Sequence, residues 1–65
     1  MLRSMTPDQE RWAEALAIQR MHGGDAPRWI AERIGFLASA GDEAGVLRFR
    51  DLATRLDQLL AASIQ

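Results

Sequence analysis

The sequence predicts an all-α fold, a compact three-helix bundle with helices at about 7–22, 26–40 and 43–64. Three observations carry this reading. Gly23-Gly24 and Gly41 divide the chain into three segments. The third segment repeats apolar residues at helical spacing. No stretch alternates apolar and polar residues as a half-buried strand would.

The first helix has a well-defined start. Thr6 is a capping residue, Pro7 suits the first helical position, and Gln9 stands three residues after Thr6 as in a capping box. Asp8 and Glu10 put negative charge at the positive end of the helix dipole. Gly23-Gly24 stops the helix after Met21 or His22. Its apolar residues form two patches. Trp12, Ala15 and Leu16 make one; Ala17, Ile18 and Met21 make another, nearly opposite. The first patch is expected against the other helices. The second has no intrachain partner unless Leu2 and Met5 fold over it.

The second helix starts at Asp25 or Ala26 with Pro27 in its first turn, and Gly41 ends it. Ile30, Ile34 and Leu37 form one apolar half-face, and Trp29, Phe36 and Ala40 form the other, with Arg33 between them. A helix with two apolar half-faces is expected to touch two neighbours. Arg33 is expected to lay its stem on the core and pair with Glu14, Glu10 or Asp57.

Asp42 caps the third helix. Val46, Phe49, Leu52, Ala53, Leu56, Leu59, Leu60 and Ile64 fall within an arc of roughly 140°, with charged residues over the remainder. Leu47 lies outside this stripe. The expected core is Ile30, Ile34, Leu37, Phe49, Leu52, Ala53, Leu56 and Leu60, closed by Trp12 and Leu16.

Sixty-five residues make one domain, with residues 1–5 read as a flexible N-terminal extension and Met5 as an alternative start. A chain this short buries only about 60% of its unfolded surface, so a small domain needs a staple. With no Cys, disulfides are excluded, and one His without thiolates gives no zinc ligand set. Regular helix packing and self-association remain. Seventeen charged residues nearly cancel to a net charge of −1, and all eight basic residues are Arg. That balance gives no general reason to bind nucleic acid or an anionic membrane. No apolar run reaches the ~18 residues of a membrane span, and the N-terminus has no signal-peptide pattern. A cytoplasmic protein is expected.

No motif carries chemistry. His22-Gly23-Gly24 has the composition of an oxyanion-hole segment, but no strand precedes it and no G-x-S-x-G elbow exists. It reads as a helix stop. His22 and Asp25 are too few to hold a metal. Ser4, Ser39 and Ser63 have no paired base beyond one shared His. Catalytic, metal and cofactor residues are therefore expected to be none, and the protein is not expected to be an enzyme.

Two functional classes follow. The first is a small interaction module or adaptor, a homodimer or the partner of a larger protein, with Trp12, Ala17, Ile18, Met21 and Leu47 as interface candidates. Trp12 serves core and interface readings equally. Helix one exchanged between two chains is a variant of the same idea. The alternative is a helix-turn-helix-like DNA-binding regulator, with Gly41 as the turn and Arg48, Arg50 and Arg55 on the recognition helix. Asp42 and Glu43 at the start of that helix oppose it, because binding rests largely on neutralising phosphates.

Met5-Thr6-Pro7-Asp8-Gln9-Glu10-Arg11-Trp12-Ala13-Glu14-Ala15, with Ala31-Glu32-Arg33-Ile34-Gly35 and Ala40-Gly41-Asp42, resembles a domain-of-unknown-function family. Its members are short hypothetical proteins of sphingomonad-type alphaproteobacteria. The resemblance spans Met5 to about Leu59. It implies a small helical protein and brings no activity, ligand or site residue with it.

Overall fold

The computed structural model describes residues 4–62. Among them every regular element is helical: α1 (Pro7–His22), a single 3-10 turn (Gly23–Asp25), α2 (Ala26–Ser39) and α3 (Glu43–Ala62). The expected ends of the chain, with Leu2 over α1 and the third helix reaching Ile64, fall outside the described residues.

The three-helix count needs correction. No residue separates α1 from the 3-10 turn, or that turn from α2. The chain therefore forms two helical stretches, 7–39 and 43–62, the first of them jointed at Gly23–Asp25. Only Gly23 in the joint takes a positive φ, at 56°, and its N–H still donates to the Gln19 carbonyl. The Gly-Gly pair bends the helix without releasing it into a loop.

The local signals act as their chemistry requires. Thr6 Oγ1 accepts from Gln9 N at 3.1 Å, and Thr6 N donates to Gln9 Oε1 at 3.0 Å, closing the capping box. Asp25, just before α2, makes no side-chain cap bond and has helical backbone angles, so the chain passes from the 3-10 turn into α2 without a cap. At the other end of α2, Asp42 N donates to Leu37 O (2.9 Å) and Gly41 N to Ala38 O (3.1 Å). This is a Schellman closure, with Gly41 in the left-handed conformation at φ 76°. Asp42 then starts α3 at once, its Oδ1 accepting from Gly45 N at 2.9 Å.

α1 and α2 each pack mainly on α3 and touch one another little. The result is open and flattened, 39 × 34 × 17 Å, rather than the compact bundle expected. Its radius of gyration is 12.8 Å, against about 10.7 Å for a compact domain of this length. A joint of one 3-10 turn leaves no loop in which α1 could fold back along α2.

The buried core is Ala15, Ile18, Ala26, Ile30, Leu37, Leu52 and Leu56. Trp29, Ile34, Phe49, Ala53, Leu59 and Leu60 pack around it half-buried. The expected α2 and α3 contributors are therefore in or beside the core. The α1 contributors are not. Leu16, expected inside, is exposed, while Ala15 and Ile18 are buried. At the joint, the His22 ring stacks on Trp29 with centroids 4.5 Å apart, and Trp29 meets Phe49 at 6.0 Å. This aromatic stack ties the end of α1 to both other helices and gives His22 a packing role.

Candidate functional site

The face of α1 turned to α3 is charged as well as apolar. Asp8 pairs with Arg55 (2.8 Å), Arg55 with Asp51 (3.0 Å), and Asp51 with Arg11 (3.3 Å). Arg11 in turn bonds Glu14, and Glu14 bonds Arg48. Six side chains thus form one ladder of alternating sign. Residues 8, 11 and 14 meet residues 55, 51 and 48 in falling order, so the helices run antiparallel. The Arg55 guanidinium also lies 4.9 Å from the Trp12 ring centre, covering one face of that half-buried indole.

Burial alone would raise the Glu14 pKa. Hydrogen bonds from Arg48 and Arg11, reinforced by their charges, outweigh it and hold the carboxyl below its ordinary value. Hydrogen bonds to Asp51 and Asp8 raise the Arg55 pKa against a smaller desolvation effect. Both groups stay charged at neutral pH. Arg48 and Arg55, two of the three arginines a recognition helix would present, are thus engaged by carboxylates. The helix-turn-helix reading is left with Arg50.

Among the described residues the large apolar side chains left exposed are Met5, Leu16, Met21, Phe36 and Leu47. The structure does not gather the five interface candidates of the sequence. Ile18 is only 9% exposed and belongs to the core. Trp12 is half-buried under Arg55. Ala17 and Met21 are exposed on α1, and Leu47 is exposed on α3. Phe36 was expected to meet a second neighbour. It is instead 61% exposed, with the Arg33 guanidinium 5.3 Å from its ring centre. Arg33 therefore braces Phe36, and none of the expected carboxylates pairs with it: Glu14 is taken by Arg11 and Arg48.

One concavity accompanies these side chains. At the corner where α2 ends and α3 begins, Ala38, Gly41, Val46 and Leu47 line an open groove of about 350 Å³, flanked by Asp42, Glu43 and Arg50. Leu47 is 66% exposed there. Asp42 is occupied by its cap bond. Glu43 and Arg50 have no ion-pair partner among the described residues. The groove was not evident from the sequence, because Ala38 and Leu47 both lie off their helices' main apolar stripes. Exposure of Leu47 was the one available signal. Among the described residues no three His, Asp or Glu side chains converge as metal ligands, and no helix is long and apolar enough to cross a membrane.

Residues 7–63 match the model of a family of unknown function, DUF6961. No curated protein and no solved structure matches the chain.

Proposed function

We propose, for a chain that belongs to the DUF6961 family of unknown function, that it is a small helical interaction module that associates with itself. It works by presenting a surface rather than by catalysis. The setting we propose is the cytoplasm, and the source a sphingomonad-type bacterium, the latter being what the sequence resemblance implies.

The observation that carries this reading is surface area. The chain exposes 5025 Å². A folded monomer of 7.3 kDa is expected to expose about 4,200 Å². The excess, on the order of 800 Å², is what one partner contributes to a standard protein–protein interface. The thin core supports the same conclusion. Among the described residues only three large side chains, Ile30, Leu52 and Leu56, are fully enclosed. No disulfide is available to supplement them.

Light scattering on a sizing column, over a concentration series, tests the proposal. A mass of twice 7.3 kDa that persists into the low micromolar range is the expected result. A monodisperse monomer at high micromolar concentration, with full helicity, overturns it.

A further inference from the structure

We infer that two copies of the chain meet across the α2–α3 corner, with α3 against α3 in antiparallel order around Leu47. This rests on the self-association proposed above and says where and how it occurs.

The argument begins with spacing. Glu43, Leu47, Arg50 and Thr54 recur at i, i+4, i+7 and i+11 on α3, which places them on one face of the helix. That face points away from the buried stripe of Leu52 and Leu56. It borders the groove, of which Glu43, Leu47 and Arg50 are all lining residues. Leu47 is therefore flanked on this face by Glu43 on one side and Arg50 on the other, charges of opposite sign with no ion-pair partner among the described residues.

A closed dimer has a two-fold axis, and its interface is the same patch on both subunits. Antiparallel helices related by such an axis pair residues whose numbers sum to a constant. Let the axis pass midway between Glu43 and Arg50. Glu43 of each copy then faces Arg50 of the other, twice by symmetry. The midpoint falls between Val46 and Leu47, so Leu47 of each copy faces Val46 of the other, and the two Leu47 side chains lie side by side next to the axis over Ala38. A parallel arrangement would set Glu43 against Glu43 and Arg50 against Arg50. Charge alone thus selects the antiparallel order. The other exposed apolar side chains have no such frame. Met21 is exposed near the end of α1 with no charged pair of opposite sign described around it, and Phe36 is braced by Arg33.

The test compares solution mass and dimer dissociation for the full chain and four variants, with helicity followed by circular dichroism. Leu47→Glu is expected to give a folded monomer, since it sets two carboxylates on the axis. Glu43→Arg and Arg50→Glu each replace two attractive contacts by two repulsive ones. Each is expected to weaken the dimer about tenfold, with exposed pairs contributing a fraction of a kcal/mol apiece. The double reversal, Glu43→Arg with Arg50→Glu, is expected to regain most of the loss. A wild-type dimer that Leu47→Glu leaves intact overturns this surface while self-association stands. A double reversal no better than the singles overturns the antiparallel order. A monomeric wild type overturns the seam and self-association together.

Discussion

Truncating α1 at two neighbouring positions separates the orientation found in the structure from the one its apolar pattern suggests. Ile18 is 9% exposed and joins the core with Ala15, Ile30, Leu52 and Leu56. Leu16 is 37% exposed on the other side of the helix. Ile18→Ala removes buried methylene and methyl groups and leaves a cavity, at about 2–5 kcal/mol for a fully enclosed site. Ile18 sits at the margin of a thin core, where collapse around the gap is easier, so about 2–3 kcal/mol is expected. For 65 residues the whole stability is on the order of 3–10 kcal/mol. Ile18→Ala should therefore lower the midpoint of thermal unfolding by roughly 10–20 °C. Leu16→Ala removes less covered surface, and Ala is the better helix former, so under about 1 kcal/mol is expected. Urea unfolding of both variants, followed by circular dichroism at one fixed protein concentration, measures the contrast. Leu16→Ala as damaging as Ile18→Ala would refute the rotation of α1 described above.

Three further outcomes follow from local geometry and charge. Gly41→Ala places a side chain at φ 76° with nothing within 4 Å of the new Cβ. Its loss of about 1–2 kcal/mol is then purely conformational, and Gly41→Asn should recover part of it in the same denaturation assay. Thr6→Ala opens the capping box and should cost about 1 kcal/mol, seen as faster amide exchange confined to the first turn of α1. Glu14 has a lower pKa folded than its ordinary 4.5, so its stabilisation is complete above that value and is lost as pH falls through the folded one. Glu14→Gln should be less stable than the parent at pH 7, with the gap narrowing as the pH falls below 4.5. A gap independent of pH would show that the Glu14 charge is not what holds Arg11 and Arg48.

What the sequence revealed was local. The capping box at Thr6 and Gln9, the stop at Gly41 and the cap at Asp42 each depend on residues within five positions of one another. The stripe on α3 was legible because its inward face is apolar without interruption from Leu52 to Leu56 and Leu60. α1 was misread because its inward face is not. Arg11 and Glu14 share that face with Ala15 and Ile18, and the groups that neutralise them, Arg48 and Asp51, lie more than thirty residues away. Apolar periodicity ranks Leu16 above Ala15 and has no means of crediting a charge that is paired. A different signal was present. Asp8, Arg11 and Glu14 read minus, plus, minus, and Arg48, Asp51 and Arg55 read plus, minus, plus at matching spacing. Two such stripes fit each other in antiparallel order, as the structure has them.

The same division bears on where function lies. Ion pairs at partly exposed seams contribute little each, because solvent screens them and ordering long side chains opposes them. The ladder therefore fixes how α1 lies on α3 more than it holds α1 there, and it consumes the charges that would otherwise let this face recognise an anion. Its counterpart is the face of α3 turned away from the Leu52 and Leu56 stripe. There Glu43 and Arg50 are left unpaired around an exposed Leu47, and further apolar burial is still to be gained. One helix thus carries two charged faces of different kind. The first is satisfied inside the chain. The second is the one that the dimer proposed above would cover, with Glu43 of each copy set against Arg50 of the other.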